Sequence, residues 1–292
     1  MKFKKTALAV ALAGMAATPF AQADVTLSGY IGIILGGSDE EIILDDGTVD
    51  DSPGDLVFSS DDSTINASAI HTMKFGLTAY GNYRLDSGLT GSTPAGDNVW
   101  VGLRGGFGDV RVGEVPDALE FGQVANDIFD IGGEDRGISY TGGFGLGGFG
   151  NVTVGVNWSP QNDSDKTAGG VKFAVGGFSV GVGVADVDGA DFATVGASFA
   201  IAGVSVAAAY KDVDVFETFG FQLGYGIAGI NASLTYEVFE DGDDDGDANV
   251  RLDLGYDLGG GLDISTRINA FTDDDNGDND VTSYRVLLAK SF

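Results

Sequence analysis

The feature that most constrains the fold of this chain is an alternation of apolar and polar residues with a period of two. In "VRLDLGYDL" (250–258) the even-numbered positions are apolar and the odd-numbered positions are Arg, Asp and Gly. The same pattern occurs in "INASLTYEVF" (230–239) and "LDISTRINAF" (262–271). Such alternation is typical of β-strands with one apolar and one polar face. The polar face here carries charges, Asn, Thr and Gly, and not a second apolar set.

Sixteen segments with strand character can be placed along the chain, and single-chain bacterial membrane barrels require an even number. Tyrosines such as Tyr236, Tyr256 and Tyr284 lie on the apolar face near strand ends, as interfacial aromatic girdles do. We therefore predict an all-β fold, a 16-stranded antiparallel transmembrane β-barrel, with a soluble β-sandwich as the alternative. The predicted strands are 24–36, 62–70, 72–86, 97–105, 107–114, 136–143, 149–159, 169–177, 178–187, 191–201, 203–212, 216–226, 229–239, 248–258, 261–272 and 281–292.

The first residues have the pattern of an export signal. A lysine-rich start precedes an apolar stretch (7–17), and "AQA" forms a small-x-small cleavage site that ends at Ala23. The apolar stretch is shorter than the about 20 residues that a membrane-spanning helix needs. We expect residues 1–23 to be a cleaved signal peptide and residues 24–292 to be a single exported barrel domain.

Composition excludes several classes of function. The chain has 44 acidic and 15 basic residues and a formal net charge of −29. This balance disfavours nucleic acid as a partner, because nucleic-acid binding needs clustered basic residues. The chain has no cysteine, so disulfides and thiolate chemistry are excluded. His71 is the single histidine and has no serine nucleophile motif beside it, so we expect no enzyme activity.

The last segment, "VTSYRVLLAKSF", has the pattern of a strand and ends on the aromatic residue Phe292. In lipid every backbone polar group must be paired, so a barrel must close without a free edge. We expect this segment to pair with the first strand, "VTLSGYIGIILG", and to place Phe292 at the closure.

Several segments resemble the Gram-negative general porins. They are the first strand "DVTLSGYIGI", the hairpin "VWVGLRGGFGDVRVGEV" (99–115), the return strand "RGISYTGGFGLGGFGNVTVGVNWS" (136–159) and the terminal Phe292. The resemblance covers the chain from Asp24 to Phe292. It implies a homotrimer in the outer membrane of a Gram-negative bacterium. It also implies a water-filled barrel narrowed by a long loop that folds into the lumen, which in this chain is 115–135.

The resemblance implies that acidic residues of this loop face basic residues on the opposite wall. The acidic residues assigned to the constriction are Glu114, Asp117, Glu120, Asp127, Asp130, Glu134 and Asp135. The basic wall residues, which are inward-facing by strand parity, are Lys74, Arg84, Arg104 and Arg111. Glu114 stands where many relatives carry a basic residue, which weakens the basic wall. The alternative is that the acidic residues only keep the loop soluble.

The predicted function is passive diffusion of ions and small hydrophilic solutes, without a cofactor. Rings of acidic side chains favour cations, so we expect a cation-selective pore. One alternative is a substrate-selective channel, for which Trp100 and Tyr80 are among the few inward aromatic residues. Another is a non-conducting structural or adhesive barrel. The expected partners are outer-membrane lipid and lipopolysaccharide.

One acidic segment, "DGDDDG" (241–246), matches half of a calcium-binding loop. Asp241, Asp243 and Asp245 alternate and Gly246 is sixth, but the twelfth position is Leu252 where the motif requires Glu. The segment is expected to be a hydrated loop tip, with weak Ca²⁺ binding or divalent bridging to lipopolysaccharide as the alternatives.

Overall fold

The alternating segments form strands in the computed structural model, which describes residues 24–38, 42–43, 49–50, 57–87, 95–123, 135–160, 165–213, 216–241, 244–272 and 281–292. Within these residues, sixteen strands form one closed antiparallel barrel, which confirms the predicted fold class. They are β1 (Asp24–Ser38), β2 (Val57–Thr72), β3 (Thr78–Ser87), β4 (Ala95–Gly105), β5 (Gly108–Val115), β6 (Asp135–Gly145), β7 (Asn151–Pro160), β8 (Asp165–Val175), β9 (Phe178–Val187), β10 (Ala190–Ile201), β11 (Val204–Val213), β12 (Phe216–Ile227), β13 (Ile230–Asp241), β14 (Asp244–Gly259), β15 (Leu262–Thr272) and β16 (Val281–Ser291).

The described residues include no helix that is both long enough and apolar enough to cross a membrane.

Each barrel strand pairs with its neighbours in the chain, and β1 also pairs with β16, which closes the barrel. Ile33 lies opposite Leu288 across this closing pair. In the pair that β1 forms with β2, Leu27 lies opposite Ala67. Apolar residues thus lie opposite apolar residues on both sides of β1, so the apolar face continues across the closure. A separate small ladder pairs residues 42–43 with residues 49–50.

The starts of the second and third strands differ most from the prediction. The second strand begins at Val57 and not at residue 62, because β1 extends far enough for Leu35 to pair with Phe58. The third strand begins at Thr78 and not at residue 72, because the 3-10 turn Lys74–Gly76 precedes it. Phe75 in this turn has φ 69°, a left-handed backbone conformation that cannot continue a strand ladder.

The alternation separates the outer face of the barrel from the lumen. Leu223, Leu234 and Leu254 are exposed on adjacent strands of the outer face. The intervening rows point inward, where Thr218 and Thr235 are buried. A contiguous exposed apolar surface is unfavourable in water and is what a membrane barrel presents to hydrocarbon. The outer face is therefore the lipid-facing surface.

The barrel has a turn end and a loop end. At the turn end, which also holds Asp24 and Phe292, two connections are the dipeptides Ala202-Gly203 and Ala228-Gly229. Their φ values are 50° and 84° in the first and 50° and 82° in the second. Positive φ at both positions is the type I′ geometry, which matches the twist of paired strands. The ends of β5 and β6 that the connection 116–134 joins lie at the opposite end, the loop end.

Phe292 contacts β1 at the closure. Its N–H donates a hydrogen bond to the Gly29 carbonyl at 3.0 Å, and the Gly29 N–H donates to the Phe292 carbonyl at 2.9 Å. The Phe292 ring covers Gly29, since a Cβ built on Gly29 would lie 2.3 Å from Phe292 Cζ. The absence of a side chain at Gly29 therefore makes room for the terminal ring.

We expect Gly29→Val to weaken the closure, because the added side chain must displace the Phe292 ring. The expected loss of stability is about 1 kcal/mol, the lower end for overpacked sites, because the exposed Phe292 ring can shift. Urea unfolding of the refolded barrel in detergent measures it. Gly143→Val on β6 is the matched control, since a Cβ there meets nothing within 4 Å. Equal unfolding midpoints for the two variants would show that the ring contact does not stabilise the closure.

Candidate functional site

The chain enters the lumen directly after β5. Residues Ala118–Gly122 form a short 3-10 helix, the loop helix. Asp117 precedes it, and the Asp117 side chain accepts a hydrogen bond from Leu119 N at 3.0 Å, which caps the start of the helix. The loop helix packs on the inner face of β7, β8, β9 and β10. The described part of the 116–134 connection therefore occupies the lumen and narrows it.

Three glycines on the inner face form a seat for the loop helix. A Cβ on Gly170 would lie 2.2 Å from Ala118 O, and a Cβ on Gly183 would lie 2.2 Å from Leu119 O. A Cβ on Gly155 would lie 2.8 Å from the Phe121 ring. Glycine within a strand often marks a place where another backbone approaches closely. These three positions, the glycine seat, let the loop backbone rest directly on the strands.

Side chains of the wall hold the loop backbone in this seat. Asn157 Oδ1 accepts a hydrogen bond from Ala118 N at 2.7 Å. The Thr194 hydroxyl donates to the Leu119 carbonyl at 2.7 Å. The Leu119 side chain is buried and belongs to an apolar cluster with Ala168 and Ala185. The loop backbone is thus bonded to the wall by groups that only a lumen-facing row can supply.

A buried ion pair completes the attachment. Lys166 Nζ lies 2.5 Å from Asp117 Oδ2, and the Asp117 side chain has 0% exposure. A buried carboxylate is stable only when a cation or several donors compensate its charge. Lys166 supplies that cation from β8 while Leu119 N supplies a donor. Asp117 therefore attaches the loop to the wall. It does not line the open part of the pore, although the sequence had led us to expect it at the constriction.

Lys166, Asn157, Thr194 and the glycine seat were not predicted as site residues. The sequence contains one signal for them, since glycines recur at inward positions of "VTVGVNW", "AGGVK" and "SVGVGVAD". Small residues aligned on one face of adjacent strands leave room for a second layer of chain.

The other predicted acidic residues of the loop are placed differently. Glu120 is exposed on the loop helix. Asp127, Asp130 and Glu134 lie outside the described residues. Asp135 begins β6, and only its backbone is described. Within the described loop, Glu120 is the acidic side chain that remains accessible to the lumen.

Glu114 lies on the outer face and not in the lumen, which corrects its assignment to the constriction. It shares the parity of Val112, which is 47% exposed on the lipid-facing surface. Its carboxylate accepts hydrogen bonds from Val99 N at 2.8 Å and from Arg136 Nε at 2.9 Å. The strand continues to Val115, so parity places Glu114 outward although the loop begins two residues later.

Four inward-facing residues of β3, β4 and β5 bring two guanidinium groups against two aromatic rings. They are Tyr80, Trp100, Arg104 and Arg111, and we call them the arginine–aromatic column. The Arg104 guanidinium carbon lies 5.0 Å from the Tyr80 ring centroid. The Arg111 guanidinium carbon lies 4.7 Å from the Trp100 ring centroid and 5.7 Å from that of Tyr80. The two rings meet edge to face with centroids 5.1 Å apart. Cation–π contacts at these distances are attractive.

Glycines opposite the rings make the column possible. Gly102 lies opposite Tyr80 on the neighbouring strand, and a Cβ there would be 2.8 Å from the Tyr80 ring. Gly113 lies opposite Trp100, and a Cβ there would be 2.7 Å from Trp100 Cα. The Tyr80 ring therefore lies along the wall over Gly102, and at Gly113 the missing side chain lets the strand approach the Trp100 backbone closely.

Asp109 fixes the position of Arg111 at the base of the column. The Tyr80 hydroxyl donates a hydrogen bond to Asp109 Oδ2. Arg111 Nε donates to the Tyr80 hydroxyl at 3.1 Å, and Arg111 Nη2 lies 3.5 Å from Asp109 Oδ2. Arg111 thus uses part of its donors within the protein.

The remaining predicted basic residues lie at different heights. Lys74 belongs to the 3-10 turn at the turn end, where only its backbone is described. Arg84 lies on the inward row of β3, nearer the loop end than Tyr80. A further basic group faces the lumen on the far wall, where Asp253 lies 3.2 Å from Arg251 Nε and 2.5 Å from Arg267 Nε. The loop helix leaves this wall and the column uncovered.

The calcium and catalytic expectations concern other parts of the chain. Asp243 lies outside the described residues, while Asp241 and Asp245 are strand residues of which only the backbone is described. In the part of the chain with described placement, no group of three His, Cys, Asp or Glu side chains is arranged to hold a metal ion. His71 lies near the end of β2, opposite Ala79.

Known proteins are similar to part of this sequence. Two Halomonas relatives, a "Monosaccharide porin" and the "Major outer membrane protein" of Halomonas elongata, are 33% identical over 144 residues, which cover 44% of this chain and 38% of each relative. The match therefore spans well under half the length of these relatives.

Solved porins share the fold at low sequence identity. An anion-selective porin from Comamonas acidovorans superposes with a TM-score of 0.71 at 16% identity, covering 93% of this chain and all of that one, 100%. OmpT of Vibrio cholerae in its trimer form gives 0.69 at 12% identity, covering 92% of this chain and 99% of that one. The family model of the Gram-negative porin matches residues 6–288. This chain belongs to the Gram-negative porin family.

Proposed function

We propose that this porin is a cation-selective channel for ions and small hydrophilic solutes. Its family makes it an outer-membrane channel for diffusion and not an enzyme. A barrel of sixteen strands leaves an aqueous lumen, unlike barrels of eight strands that side chains fill. The observation that carries the proposal is the loop helix on its glycine seat, which presents Glu120 at the narrowed part of the lumen.

Charge supports the choice of cations. The chain has a formal net charge of −29, and a field of that sign raises the local concentration of cations at the mouths of a channel. Glu120 adds a carboxylate beside the path. Arg104 and Arg111 oppose this preference from one wall, and Arg251 and Arg267 oppose it from the far wall, where Asp253 compensates one of their two charges. A solute therefore passes between an acidic loop and a basic column, in a field that orients polar molecules.

We expect purified protein in a planar bilayer to give a cation-selective reversal potential under a salt gradient. Glu120→Gln should move the potential toward zero, because it removes the accessible loop carboxylate. The selectivity should also fall as ionic strength rises, since charges are screened over about 8 Å at physiological salt.

Glu240→Gln is the matched control, because Glu240 is exposed on the outward row of β13. An equal shift in both variants would assign the selectivity to overall charge and not to the loop. An anion-selective reversal would contradict the cation preference and leave the channel intact. A protein that inserts without conducting would contradict the channel itself and favour a structural barrel.

A homotrimer and contacts with lipid and lipopolysaccharide are part of the same proposal. The similarity to OmpT in its trimer form supports the trimer. The apolar outer face supports contact with lipid acyl chains. Substrate selection is the second candidate function, because the arginine–aromatic column is a more specific structure than a diffusion pore requires.

A further inference from the structure

The arginine–aromatic column places its guanidinium groups over the faces of aromatic rings. Arg104 lies over Tyr80, and Arg111 lies over both Trp100 and Tyr80. A ring face attracts the cation but offers no lone-pair acceptor to its N–H donors. The contact therefore holds the group in position and leaves its donors available for conventional hydrogen bonds.

Arg104 is the member of the column whose donors are available. It is exposed on the inward row of β4, close to the turn end of the lumen. Among the described residues its side chain makes no hydrogen bond or ion pair, although Asp109 lies opposite Arg104 in the strand register, and it contacts the Tyr80 ring. Arg111 differs, because it already bonds to the Tyr80 hydroxyl and lies beside Asp109.

The charge of the column favours an anionic group. Arg104 and Arg111 contribute two positive charges, and Asp109 compensates one of them. A planar guanidinium pairs with carboxylate or phosphate through two parallel hydrogen bonds. Asn82 and Asn98, further along the same wall toward the loop end, hydrogen bond to each other at 3.3 Å and add amide groups that suit hydroxyls.

We infer that the arginine–aromatic column is a binding site for small hydroxylated solutes that carry an oxyanion, either carboxylate or phosphate, with Arg104 as the residue that pairs with the oxyanion. The inference rests on the proposed function, since the solute must enter a water-filled lumen. Passage through the pore then includes transient binding of the solute to one wall of the lumen, which simple diffusion lacks. The wall groups are held in place before the solute arrives, so little ordering entropy is lost on binding.

The test compares glucuronate, glucose 6-phosphate and glucose as blockers of the ion current through the full chain in a planar bilayer. Glucuronate and glucose differ in one carboxylate, so the pair isolates the oxyanion. We expect both anionic probes to reduce the current at concentrations where glucose has no effect. The anion that blocks at the lower concentration identifies carboxylate or phosphate as the preferred group.

Two variants separate the column from general charge. Arg104→Gln should raise the half-blocking concentration about tenfold or more, because it removes hydrogen bonds to a charged group. Tyr80→Leu should weaken blocking while both arginines remain, because it removes the stacking surface. Arg285→Gln is the control, since it removes the same charge from the inward row of β16, away from the column.

Equal blocking by glucose and glucuronate would overturn the site, as would equal effects of Arg104→Gln and Arg285→Gln. Calorimetric titration of the protein in detergent micelles measures glucuronate affinity without conduction. Binding in micelles by a barrel that does not conduct would support the site and contradict the channel. A conducting barrel that binds no anionic probe in micelles would overturn the site and leave the channel standing.

Discussion

Lys166→Met will loosen the loop helix from the wall and destabilise the barrel. The Asp117 carboxylate is fully buried beside Lys166, and the variant leaves it there without its cation. Removing one partner of a buried ion pair costs about 3–5 kcal/mol. The loop helix can relieve this cost by moving so that water reaches Asp117. We expect frequent current steps in single-channel recordings and a lower urea unfolding midpoint.

The double variant Asp117→Asn with Lys166→Met separates the charge from the shape of this site. Asparagine keeps the oxygen that accepts from Leu119 N but carries no charge, so most of the lost stability should return. Lys172→Met is the matched control, because Lys172 is on the same inward row of β8 and away from Asp117. If Lys166→Met and Lys172→Met behaved alike, the ion pair would not be what holds the loop.

Gly183→Val will push the loop helix off its seat and widen the pore. The new Cβ would stand 2.2 Å from the Leu119 carbonyl oxygen, a distance that neither backbone can tolerate. Displacing the loop should cost about 1–3 kcal/mol of stability. It should raise the single-channel conductance and admit larger sugars in a liposome-swelling assay.

Gly169→Val on the outer face of β8 is the control for this variant. Its nearest contact would be Val156 Cγ1 at 3.8 Å, an ordinary van der Waals distance. It adds the same side chain to the neighbouring strand without touching the loop. An unchanged size limit in Gly183→Val would show that the loop helix is not the narrowest part of the pore.

The strands and their closure were predictable because the polarity of alternate residues shows which face of each strand contacts lipid and which faces the lumen. The alternation in "VRLDLGYDL" indicates which positions face lipid. A sheet in lipid cannot keep a free edge, so the first and last strands must pair, and an even strand count makes that pair antiparallel. The same alternation also predicts that Glu114 lies on the outer face, because Glu114 is two residues after the outward-facing Val112 in β5. The resemblance to relatives that carry a basic residue at this position had instead suggested the lumen.

The loop seat could not be derived in the same way, because it depends on contacts between rows of different strands. Lys166 was missed for a local reason, since the strand predicted from residue 169 begins at Asp165. Strand parity assigns an inward or outward direction only to strand residues, so it gave none for Lys166. The column likewise depends on register, because Tyr80 stacks with Arg104 only when Gly102 lies opposite Tyr80.

The pairing of β1 with β16 has a consequence for the order in which the chain folds. In the described barrel every other pairing joins strands that follow one another, so those hairpins can form as local units with low contact order. The closing pair joins the two ends of the barrel domain and is the slow, non-local step. Until this pair forms, the unpaired edges of β1 and β16 can pair with other chains and aggregate. The hydrogen bonds between Gly29 and Phe292 belong to the closing pair that removes both edges.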